Sequence, residues 1–110
     1  MERVIERGCG LDVHKKSIAA CVRVPGAPGP RIQEVRSFGT TAAELLALRD
    51  WLEAHGVTHV AMESTGVYWK PVYYALEDAF RTRLVNAAHL AKVPGRKTDV
   101  KDAEWIAQLL

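Results

Sequence analysis

Residues 8–24 read GCGLDVHKKSIAACVRV. Two mostly apolar runs, 8–14 and 17–24, flank a short polar link, His14-Lys15-Lys16. Apolar runs joined this closely predict a β-hairpin. Asp12 stands inside the first run, between Leu11 and Val13. A buried, unpaired carboxylate costs several kcal/mol, so a strand aspartate must be paired, solvated or bound to metal.

Downstream, Pro25-Gly26-Ala27-Pro28-Gly29-Pro30 can continue neither strand nor helix and reads as a turn. Residues 31–38 (RIQEVRSF) alternate, with Ile32, Glu34, Arg36 and Phe38 on one face, and suit an edge strand. Thr40 or Thr41 then caps a helix with Glu44 in its first turn. Leu45, Leu48 and Leu52 fall on one side of that helix, Leu46 and Trp51 at the margins, and His55-Gly56 ends it. Residues 57–62 (VTHVAM) form a short, nearly continuous apolar strand, as expected where both faces are covered. Ser64-Thr65-Gly66 opens a second helix running to about residue 80, with Pro71 either in a first turn or at a kink. A strand over 83–87, an irregular basic loop over 89–98 and a helix over 99–110 complete the pattern.

The predicted order is β-β-β-α-β-α-β-α. Strands that alternate with helices are parallel and joined by right-handed crossovers. The fold class is therefore α/β, a mixed sheet of three antiparallel strands followed by parallel ones, with helices on both faces. The length of 110 residues suits a single domain over 1–110. The last helical pattern runs to Leu110 without a cap, as in a truncated domain. Hydrophobic residues make up 48% and no apolar run is long enough to span a bilayer, so a cytoplasmic protein is expected. Cys9 and Cys21 are too few for a disulfide framework, although their strands are neighbours; free thiols fit a reducing compartment.

Net charge is only +2, too weak by itself to imply a nucleic-acid partner. Its distribution is more telling. From Arg81 onward the bases are Arg81, Arg83, Lys92, Arg96, Lys97 and Lys101, against the acids Asp99, Asp102 and Glu104. Glu63 falls at the C-terminal end of the fourth strand, where open α/β sheets bind ligands. Asp99 and Asp102 share one face of the last helix. If the first and fourth strands are neighbours, Asp12 and Glu63 meet, and the last helix can bring Asp99 and Asp102 to them. Four converging carboxylates repel one another, a conflict that hard divalent cations remove.

Each feature also has an ordinary structural reading. Asp99 serves equally as an N-cap, with Asp102 near the positive end of the helix dipole, and Glu63 as a cap of the next helix. The basic residues can form a solvated face. Tyr73 reads as core, Tyr68 and Trp69 as open between core and base stacking, and only His14 among the histidines lies close to a candidate site. Trp105, Ile106 and Leu109 read as the buried side of the last helix.

Taken together, GLDVHK, MESTGVYW and GRKTDVKDAEWIA resemble the N-terminal domain of DEDD-type insertion-sequence transposases, the "one-ten" family that includes the Piv-like DNA invertases. The resemblance runs from Gly10 to the end of the chain. It implies an RNase H-like, RuvC-like fold and a tetrad of Asp12, Glu63, Asp99 and Asp102, with Asp12 bridging two Mg²⁺ or Mn²⁺ ions for phosphoryl transfer on DNA. Ions roughly 4 Å apart can clamp the attacking and leaving oxygens of a phosphodiester. Lys15, Lys92, Arg96, Lys97 and Lys101 would hold phosphates nearby. The resemblance further implies a bacterial protein, a structured guide RNA, homo-oligomers and a second, C-terminal domain bearing a serine, which the 110 residues lack. Two rival classes are a non-catalytic nucleic-acid-binding or assembly module and an actin-like ATPase half. The latter calls for glycine-rich phosphate loops where this chain has His14-Lys15-Lys16.

Overall fold

The computed structural model describes residues 6–26, 29–30 and 32–85. The chain begins with two antiparallel strands, β1 (Gly8–Val13) and β2 (Ile18–Val24), joined by a tight turn in which His14 N–H donates to the Ser17 carbonyl at 2.8 Å. The third strand, β3 (Ile32–Phe38), pairs antiparallel with β2 and forms an edge, exposed along its length except at Phe38. Helix α1 (Ala42–Ala54) then leads to β4 (His59–Ser64), helix α2 (Trp69–Leu76) and β5 (Arg81–Leu84). Strands β4 and β5 run parallel to β1, giving a five-stranded mixed sheet in the order β3-β2-β1-β4-β5. This is the α/β mixed sheet of the RNase H-like class that the sequence predicts.

Strand alternation divides the sheet into two unlike faces. Cys9, Leu11 and Val13 of β1, with Ile18, Ala20 and Val22 of β2 and Val60 and Met62 of β4, join Leu45, Leu48, Trp51 and Leu52 of α1 and Val72 and Leu76 of α2 in one core. Both described helices thus cover the same face. The helix predicted over 99–110 lies outside the described residues, as does the loop predicted over 89–98. Arg49 ties the two helices together: its guanidinium donates to both Asp78 carboxylate oxygens at 2.8 and 3.3 Å and to the Ala75 carbonyl at 3.0 Å, near the C-terminal end of α2. That pairing holds the Asp78 carboxyl below, and the Arg49 guanidinium above, their usual ranges.

Boundaries of β4, α2 and β5 differ from the sequence reading. β4 starts at His59 rather than residue 57, because Val57 N–H is used to close α1, donating to Leu52 O at 3.1 Å. α2 starts at Trp69 rather than at 64, because Gly66 takes a left-handed φ of 53° that no helix accommodates. Pro71 thereby falls in the first turn, where its missing N–H has no helical partner to lose. α2 ends at Leu76, and a turn separates it from β5, which begins at Arg81, two residues before the predicted start.

Candidate metal and phosphate site

The odd-numbered residues of β1 enter the core, so its even-numbered residues emerge on the opposite face. There Asp12 is paired in parallel register with Glu63 of β4. In-register residues on neighbouring strands project from the same side, with backbones about 4.8 Å apart. The two acids are therefore placed side by side by backbone hydrogen bonding alone. Both are buried, at 3% and 4% exposure, and are the two charged residues buried to this degree among those described. Glu63 lies at the C-terminal end of β4, as the sequence predicts, one residue before the strand's last, Ser64.

The residues around the acids are small. Asp12 faces Ala19 across the β1–β2 ladder, and Gly10 lies between Cys21 and Ala61. Large side chains alternate onto the core face. This alternation of small and large residues in GCGLDV was legible but did not stand out from ordinary strand patterning.

His14 stands at the mouth of this face. Its Nε2 lies 3.2 Å from Asp12 Oδ1, with the imidazole 30% exposed and the Asp12 side chain 4%. Lys15 follows in the same turn with its side chain exposed, and its carbonyl accepts from Thr40 Oγ1 at 3.2 Å. Lys15 thus sits at the Asp12 end of the hairpin. Asp99 and Asp102, and the bases Lys92, Arg96, Lys97 and Lys101, lie outside the described residues. Among the described residues no three His, Cys, Asp or Glu side chains cluster closely enough to hold a metal ion. The described part of the site is the in-register pair Asp12 and Glu63, with the His14 imidazole beside Asp12. Carboxylate oxygens are the donors a hard divalent cation takes, and two acids on one face of the sheet favour one.

Cys9 and Cys21 are free and buried; Cys9 belongs to the helix-covered core and Cys21 to the opposite face, so the sheet separates their side chains. Burial, with Cys21 adding to it, pushes the Cys9 thiol well above its usual range and makes it a poor nucleophile. Tyr73 and Trp69 pack against the core, their rings edge to face with centroids 5.8 Å apart, whereas Tyr68 is exposed. Among the described residues no helix is long and apolar enough to cross a membrane.

A mixed α/β sheet with paired acids at its centre defines a class of proteins rather than one activity. The sequence narrows it: residues 9–110 match the model of the DEDD transposase family of the IS110 type, described as transposase, and the chain belongs to that family. A comparison with curated proteins returns no match. Among solved structures, the chain is similar to the Aquifex aeolicus PPX-GPPA enzyme at 10% identity and a TM-score of 0.44, covering 78% of this chain and 38% of that one. A second structure, described as the type II variant of the A. aeolicus Ppx/GppA phosphatase, matches at 10% identity and a TM-score of 0.41, covering 74% and 36%. The chain thus spans little more than a third of these structures.

Proposed function

We propose that this chain is the catalytic domain of a DNA transposase or recombinase that performs metal-dependent phosphoryl transfer at transposon ends or target DNA. The observation that carries the reading is the register of Asp12 with Glu63, two buried acids on one face at the centre of the sheet, in a chain of the transposase family. Asp12 and Glu63 would hold Mg²⁺ or Mn²⁺, with Asp99 and Asp102 completing the set. Bound there, such ions supply an activated oxygen nucleophile and neutralise charge developing on the phosphate. The protein's own part is to hold the acids in a rigid sheet, so that no reorganisation is needed when substrate arrives. Lys15 at the hairpin turn, with Lys92, Arg96, Lys97 and Lys101, would bind backbone phosphates and fix the position of the nucleic acid without reading its sequence. A structured guide RNA, a homo-oligomer and a serine-bearing C-terminal domain belong to this reading as partners of the same chemistry.

The test is calorimetric titration of the chain with Mn²⁺ and Mg²⁺, alongside an Asp12→Ala, Asp102→Ala double variant, followed by a nicking assay on branched DNA. Divalent binding in the parent that disappears in the variant supports the reading. DNA or RNA binding that is indifferent to divalent metal and to both substitutions would replace it with a non-catalytic assembly module.

A further inference from the structure

We propose that β3 is a self-pairing edge, through which a second copy of this chain joins its sheet to the first. The inference gives a surface to the homo-oligomer of the reading above, but it stands on the strand itself. β3 ends the sheet order and is paired on one side, with β2. Its residues from Ile32 to Ser37 are exposed, among them the apolar Ile32 at 52% and Val35 at 37%. Such an edge leaves a row of backbone N–H and C=O groups open to another strand. Charged side chains commonly blunt an edge, and β3 carries two, Glu34 and Arg36. Charges block pairing where they meet their like, so the register decides whether these two repel or attract.

The order of residues along the strand, IQEVRSF, selects both the partner and the register. Two copies related by a two-fold axis through Val35, perpendicular to the sheet, run antiparallel. Glu34 then faces Arg36 of the second copy, and Arg36 faces its Glu34, so the symmetry makes the ion pair twice. Gln33 meets Ser37, Ile32 meets Phe38, and the two Val35 side chains meet on the axis. The residues in each pair lie on the same side of the sheet, because their positions differ by an even number. Centring the axis on Glu34 instead sets Glu34 against Glu34, and centring it on Arg36 sets Arg36 against Arg36. Like charges directly opposite are destabilising, so Val35 is the favoured centre. Both charges have capacity for a partner. Glu34 meets His55 at 3.0 Å with its side chain still 51% exposed. Among the described residues no carboxylate pairs with Arg36, whose guanidinium lies over the Phe38 ring at 5.0 Å. An axis perpendicular to the sheet leaves both Asp12–Glu63 pairs on the same side, with the two β1 strands roughly 24 Å apart.

The experiment is sedimentation velocity of the 110-residue chain over a concentration series. It is run alongside Glu34→Arg, Arg36→Glu, the double variant carrying both, and Val35→Lys, with thermal unfolding of each at the lowest concentration. A seven-residue edge buries less than a standard interface, so a weak, concentration-dependent dimer is expected. Each single reversal sets like charges opposite one another twice and should raise the dissociation constant about tenfold or more. The double reversal restores opposite charges and should return it close to the parent value. Val35→Lys brings two ammonium groups together on the axis and should be monomeric, with a parent-like melting temperature because Val35 is exposed. A parent that stays monomeric at every concentration overturns the inference. So does a dimer indifferent to Val35→Lys and to the single reversals, which places the contact on another surface. A double variant that melts like the parent yet fails to dimerise overturns the register and the inference with it. Should a charge variant melt early, Val35→Lys decides alone, and a surviving dimer overturns the inference. Each of these overturning outcomes leaves the Asp12–Glu63 reading standing, because divalent binding tests that separately.

Discussion

At the residue scale, His55 shows how position converts an ordinary side chain into a titrating contact. Its Nδ1 lies 2.8 Å from the Trp51 carbonyl and its Nε2 3.0 Å from the Glu34 carboxylate. Both partners only accept, so both bonds form together only when the ring carries two protons. The Trp51 carbonyl first, and the Glu34 carboxylate after it, raise the pKa of His55 above the ordinary histidine value, against the opposing pull of burial and Arg7. A raised folded-state pKa contributes stability that is complete below the unfolded value, near 6.5, and is lost as pH rises through the folded value. The melting-temperature gap between parent and His55→Gln should therefore be larger at about pH 5.5 than at about pH 8. Glu34 is half exposed, so salt should narrow the gap. A gap independent of pH would mean that the ring serves only as a neutral spacer.

At the scale of elements, α1 is delimited at both ends by groups outside its apolar stripe. Thr41 Oγ1 accepts from Glu44 N–H at 3.2 Å, and the Glu44 carboxylate accepts from Gly39 N–H at 2.8 Å. At the other end Gly56, with a φ of 68°, donates to Glu53 O and Val57 to Leu52 O, the paired bonds of a Schellman cap. Thr41→Ala should cost about 1 kcal/mol, and Gly56→Ala about 1–2 kcal/mol because an L-residue resists the left-handed region. A Cβ at Gly56 would also press on the Arg7 guanidinium at 3.2 Å. Urea unfolding of each variant measures both costs; a neutral Gly56→Ala would show that the loop relaxes to another conformation.

At the scale of the whole molecule, the sheet has one face that supplies stability and one that carries the candidate chemistry. Leu48 and Leu52 are fully buried against the sheet, whereas Leu46 on the same helix is 62% exposed. Leu48→Ala should therefore cost about 2–5 kcal/mol, and Leu46→Ala less than about 0.5 kcal/mol. Chemical denaturation of the pair checks the assignment, and similar losses at both positions would place a partner surface over Leu46. The separation of faces also means that a core variant still able to fold should keep its divalent affinity, because Leu11 and Val13 point away from Asp12.

Much of this was legible in the residues. Periods of two and of about 3.6 are local signals, and they identified the hairpin, the edge strand, α1 and the α/β order. Asp12 stood out because an acid inside an apolar strand has no routine role, and placing the first and fourth strands together brought Glu63 to it. Other features were decided by the tertiary structure. The β4 boundary depended on Val57 being drawn into the α1 cap, and the start of α2 on the left-handed turn at Gly66. The contacts of His14 with Asp12 and of His55 with Glu34 depended on how a turn and an edge strand settle against their neighbours. Periodicity records which way a side chain faces along its own element. Which residue it meets across a gap is set by register and packing between segments distant in the chain, and no single stretch of sequence contains that information.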